Sequence, residues 1–173
     1  PALPQYLARL IGNKGAYAYL SGFLDGGESF RLKPVTVAAD AAHPKVFAAS
    51  EGGFRISAVP VTHSIIPALG WRVEKDGCAV VFSSGTSNMG RTLDKIAADA
   101  DLLVAHNAIP EGSTDRVALK LHMMPSEIGR IAAAAHAKSV VLSHFMNRTE
   151  NVMWETADAI GSRYKGKLNF ARD

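Results

Sequence analysis

The feature that most constrains the fold is the stretch "LGWRVEKDGCAVVFSS", residues 69–84. Two runs rich in β-branched and aromatic residues flank the turn residues "KDG", which is the pattern of a β-hairpin. A second run, "GFRISAVPVTH", alternates apolar and polar residues ahead of it, and Pro60 within it implies an edge position or a bulge. After the hairpin the pattern changes. "MGRTLDKIAADA" reads as a helix of two to three turns, "DLLVAHNAI" as a short buried strand, and "MPSEIGRIAAAAHAK" as the clearest helix. In that helix Pro125 suits the first turn and Glu127 complements the positive end of the dipole. "SVVLSH" is a further buried strand, "NVMWETADAIGSRY" a closing helix, and "KLNFARD" a last strand. Hairpins followed by alternating helix and strand imply an α/β layered domain with a mixed sheet.

The N-terminal stretch is less constrained. "LPQYLARLI" repeats apolar residues at helical spacing and "GNKG" ends it. Residues 15–30 read as loop with short strands, and strand periodicity is expected from "FRLKPVTVAAD" onward. With 173 residues and no repeat or low-complexity linker, the chain is expected to be one domain over residues 1–173. A net charge of +3 without a dense Lys/Arg block leaves nucleic-acid binding unsupported. No apolar run approaches the ~20 residues of a membrane span. The lone Cys78 excludes an internal disulfide and is expected to be a small core residue.

Three of the six histidines fall at informative places. His63 ends "SAVPVTH", His144 ends "SVVLSH", and His122 precedes the best helix in "LHMMPSE". A single histidine at a strand end is ordinarily capped or solvated. Several can instead be aimed at one point by a rigid sheet, which metal binding or acid–base chemistry requires. His106, after another buried strand, is a possible pocket residue. His43 and His136 read as surface positions. The polar loop in "VVFSSGTSN" admits an anion-cradling reading through its amides and hydroxyls, although it lacks the Gly-x-x-x-x-Gly-Lys-Ser/Thr pattern.

The order of these segments resembles the second half of metallo-β-lactamase-fold hydrolases, in the ribonuclease Z and phosphodiesterase-like branch. His63 with Pro67, Gly70, Trp71 and Arg72 matches a His followed by "P-x-x-G-aromatic-R". His122 and Pro125 match a later His-x-x-Pro element, and Ser143 and His144 match a "T/S-H" at a strand end. The resemblance covers roughly residues 54 to 148. It implies the α/β fold of that family, an αββα sandwich, of which this chain is the C-terminal portion with the N-terminal part missing.

The same resemblance implies that His63 and His144 are metal ligands, with two zinc ions in an intact member. It implies that His122 stabilises the developing oxyanion or protonates the leaving group. Two positions depart from the family pattern. The His-x-His-x-Asp-His motif is absent from these residues, and the resemblance implies that the chain begins just after it. Gly85 occupies the position of the metal-bridging aspartate. The expected activity is therefore metal-dependent hydrolysis of a small-molecule ester or phosphodiester, incomplete in the chain as given, with a homodimer as a possible assembly. A degenerate, non-catalytic relative acting as a binding module is the alternative, favoured by Gly85 and opposed by the retained histidines.

Overall fold

A computed structural model of the chain describes residues 3–43 and 46–172. Two compact units are present, Pro1–Ala38 and Ala39–Asp173.

The first unit opens with α1 (Leu3–Ile11), where the helical spacing placed it; of its apolar residues only Ile11 is buried. A 3-10 turn (Ala18–Leu20) and the single-turn α2 (Gly22–Asp25) follow, ended by Gly26 at φ 91°. Phe23 and Phe30 pack with their rings tilted at 34° and centroids 4.8 Å apart, and the Leu3 amide donates to Thr36 Oγ1 at 3.1 Å. No strand forms among the described residues before Phe47, against the expectation for residues 15–30 and from Phe30 onward. Alternation becomes a strand only when a partner takes its backbone groups, and Pro34 withholds one donor from any such ladder.

The second unit is one seven-stranded sheet in chain order: β1 (Phe47–Glu51), β2 (Phe54–Val61), β3 (Ala68–Lys75), β4 (Cys78–Phe82), β5 (Leu102–His106), β6 (Ser139–Ser143) and β7 (Lys167–Phe170). Its first half is antiparallel and β4 through β7 pair in parallel, so the sheet is mixed as expected. The hairpin turns on Asp76 and Gly77, both with positive φ, the geometry that matches strand twist in a two-residue turn. Pro60 pairs with Leu69 of β3 and lies beyond the residues of β2 that β1 covers, so on that side β2 is locally an edge, where proline is tolerated.

Alternate residues of the central strands are fully buried: Val81 on β4, Leu103 and Ala105 on β5, Val140 and Leu142 on β6. They form one core with Ile96 of α3 (Asp94–Ala97), Ile128 and Ile131 of α4 (Pro125–Ala134), and Ile160 of α6 (Met153–Gly161). A one-turn helix α5 (Asn147–Glu150) precedes α6. Helix α4 meets α6 at Gly129, where an added Cβ would stand 2.8 Å from the Ile160 carbonyl oxygen.

Two expectations are corrected. Helix α3 has a single turn, not two to three. Ala98 leaves helical geometry at ψ 129°, and the Arg72 guanidinium takes the Ile96 and Ala98 carbonyls at 3.1 and 2.7 Å, so the carbonyls are satisfied without further helix. Cys78 is exposed, not core, because it is the first residue of β4 next to the hairpin turn.

Candidate functional site

Strands β2, β4, β5 and β6 all run in the same direction, since two antiparallel steps separate β2 from β4 and the rest are parallel. Their C-terminal ends therefore share one edge of the sheet, the edge where open α/β sheets place their ligands. His63 lies two residues past the end of β2, the Ser83–Asn88 loop follows β4, His106 ends β5, and His144 follows β6. His144 takes a left-handed backbone, φ 59°, directly after the strand. His122 reaches the same place from the turn ahead of α4, held by its amide to the Ala118 carbonyl at 2.8 Å. The Ser64 amide donates to the Lys120 carbonyl at 2.9 Å and ties that turn to the His63 segment.

Four of the six histidines thus come together. Ring centroids are 5.5 Å apart for His63 and His122, 5.9 Å for His122 and His144, and 4.7 Å for His106 and His144. His43 and His136 stay on the surface, each side chain 82% exposed.

Crowding four imidazoles into a half-buried place disfavours protonation. Burial, followed by the other three rings and Arg148, lowers His122 to about 4. Burial, followed by His144 and His63, also lowers His106. His122 is accordingly neutral at pH 7. The Nδ1 atoms of both His106 and His122 are buried without a hydrogen-bond partner among the described residues. Buried polar atoms are normally paired, so these two nitrogens carry hydrogen-bonding capacity that the described residues leave unused.

The loop after β4 is sewn to the residue preceding His63. The Thr62 carbonyl accepts from the Ser87 amide (2.8 Å), Thr86 Oγ1 (3.1 Å) and Ser87 Oγ (3.3 Å). Ser83 Oγ donates to the Ser84 carbonyl and accepts from the His106 amide at 3.1 Å. The hydroxyl protons of Ser83, Thr86 and Ser87 are thus spent on backbone carbonyls inside the protein. Gly85 lies against His63: a Cβ there would be 2.7 Å from His63 Nε2.

The donor chemistry of His63 and His144 fits a zinc-class ion, because neutral imidazole is its common ligand. The donor set is partial, however. No three His, Cys, Asp or Glu side chains among the described residues converge to hold one ion, and Gly85 offers no carboxylate.

Other polar residues near these elements carry no clear signal in sequence. Asn107, next to His106, is fully buried with neither side-chain amide atom partnered. Asn88, 2% exposed, donates to Asp94 Oδ2 and Glu127 Oε1, both at 3.0 Å, and accepts from the Leu93 amide at 3.3 Å. Arg130 closes this network on Glu127 and Asp94 at 2.8 Å.

The arrangement can be set beside known proteins. No curated sequence is similar enough to match. Among solved structures, the metallo-β-lactamase fold protein YhfI from Bacillus subtilis is 21% identical at a TM-score of 0.64, covering 91% of this chain and 61% of that one. The human tRNase Z short form is 22% identical at 0.55, covering 72% and 42%. A diphosphatase of the PhnP family is 14% identical at 0.53, covering 91% and 53%. The chain thus spans about three fifths of the first of these structures and less of the other two, and the likeness shows the fold. A family model described as a β-lactamase superfamily domain matches residues 9–145, most of the chain. The chain belongs to the β-lactamase superfamily domain family and has the metallo-β-lactamase fold.

Proposed function

We propose that this chain carries part of the active site of a metal-dependent hydrolase acting on a small-molecule ester or phosphodiester. The convergence of His63, His106, His122 and His144 on the C-terminal edge of the sheet supports the reading. His63 and His144 would hold a zinc-class ion, with the remaining donors supplied from outside the described set. When bound, such an ion supplies a water of lowered pKa and polarises the scissile group.

The chain's own residues act on geometry and protonation. His122 is neutral and held by its backbone to Ala118. It donates one ring N–H to the developing oxyanion, a role an uncharged imidazole performs without first being protonated. The loop joined to Thr62 positions His63 next to Gly85. Nucleic acid receives little support, since the charge is small and dispersed, although one structural neighbour is a tRNase Z.

Metal content of the purified chain together with hydrolysis of bis-p-nitrophenyl phosphate tests the proposal. Bound zinc and turnover, both lost in His63→Ala and His144→Ala, are the expected result. Absence of metal and turnover in the protein carrying all of its natural sequence overturns it. That outcome supports the second reading, a non-catalytic binding module, which Gly85 and the partial donor set favour.

A further inference from the structure

Beside the histidine cluster, and sharing His122 with it, lies a cavity of about 350 Å³. That volume is in the range of small-molecule sites. Its walls come from the loop after β4 and the turn before α4, and four of the lining residues are apolar: Met89, Leu119, Met123 and Met124. Thioether side chains adapt to flat, polarisable groups.

The polar lining is asymmetric. Glu127 lines the cavity, but its oxygens are occupied: Oε1 accepts from Asn88 and Arg130, and Oε2 from Arg130. Asp94 accepts from the same two residues. Arg91 also lines the cavity, is exposed, and makes no ion pair among the described residues. Its backbone is left-handed at φ 51°, as is that of Asn88 at 53°. Such conformations are uncommon outside glycine and cost energy to hold. Arg91 is thus the cation available to a ligand. Asp94 and Glu127 against Arg130 leave one surplus negative charge, so one negative charge on a ligand is matched at Arg91 while a second meets that surplus acid.

We propose that this cavity is a substrate subsite for a flat, aromatic group bearing a single negative charge, with Arg91 as the residue that selects it. The proposal rests on reading the histidine cluster as the reaction site, which would place the scissile bond at His122 and the recognised group in the cavity.

The test is binding, not turnover, so it separates from the hydrolase reading. The protein labelled at its methionine methyls is titrated with 1-naphthoate, a flat monoanion, and with naphthalene-1,4-dicarboxylate, the matching dianion. Met146 and Met153 lie outside the cavity and serve as internal controls. Naphthoate is expected to move Met89, Met123 and Met124 and leave the controls in place. Arg91→Gln should weaken it about tenfold, as loss of an accessible charge-assisted contact does, and Arg91→Lys should restore part of the affinity. The dianion should bind no tighter than naphthoate. Equal shifts at all five methionines, unchanged affinity in Arg91→Gln, or a clear preference for the dianion would each overturn the proposal. Failure of zinc binding or hydrolysis with the methionine shifts intact would reject only the hydrolase reading.

Discussion

Gly85 and His63 are in such close contact that any side chain at position 85 must displace the imidazole: a Cβ there meets Nε2 at 2.7 Å and Cδ2 at 2.9 Å. The obstacle is the end of a side chain rather than backbone, and Gly85 is not left-handed, so substitution demands a rotation of His63 and little else. Gly85→Ala should therefore fold, with a loss of about 1 kcal/mol, and the His63 ring resonances should move. Gly85→Asp adds a carboxylate beside an imidazole donor. If the site holds metal, zinc affinity by calorimetry should rise relative to both the parent and Gly85→Ala. Equal affinity in all three would remove this loop from the site.

Acid should destabilise the fold through His122. Its folded pKa is lowered from 6.5 to about 4, so between these values the unfolded chain binds a proton that the folded chain refuses. The stabilising contribution is complete above pH 6.5 and is lost as pH falls toward 4. His106, also lowered, acts in the same direction. His122→Gln should flatten the decline in urea midpoint between pH 7 and pH 5. A parallel decline in the variant would show that other groups carry the acid response.

Removing Arg130 should cost more than removing either of its partners' charges. Arg130→Met leaves Asp94 and Glu127 facing each other through Asn88 alone, at side chains only 27% and 29% exposed. A loss of roughly 2 kcal/mol is expected, reduced for partial solvent screening. Glu127→Gln keeps the shape and should lose about 1 kcal/mol. Chemical denaturation of the two variants in low and moderate salt distinguishes the outcomes.

Gly129→Ala should destabilise the protein although alanine favours helices by about 1 kcal/mol over glycine. The new methyl would stand 2.8 Å from the Ile160 carbonyl oxygen and 3.0 Å from its Cα, both backbone atoms that move only with α6. A net loss of about 1–2 kcal/mol in thermal or urea unfolding is expected. A gain would mean that α4 and α6 separate without cost.

Most of the second unit was legible because its signals are local. The hairpin announced itself in "KDG", α4 in Pro125 and Glu127, and the parallel strands in short apolar runs between helices. The short α3 was not legible, since it ends where Arg72, a residue of β3, takes its carbonyls. Alternation after Phe30 misled for the opposite reason: it lacked a partner strand. At the site, His63, His122 and His144 were singled out by position and are gathered, and His106 joins them. Asn88, Asn107 and Arg91 acquire meaning only from the neighbours that folding gives them, and no spacing rule would select them.

Because the seven strands pair in the order in which they occur along the chain, the sheet can be assembled during synthesis without waiting for a later strand to insert between earlier ones. β2 with His63, then β4 with its loop, then β5 with His106 can each dock on the strand just made. His144 follows only after β6, so the histidine cluster is completed late, once the strands that position its other members are in place. Ribosome-bound chains of increasing length would show protection of the β2–β4 hairpins first, and the imidazoles would come together last.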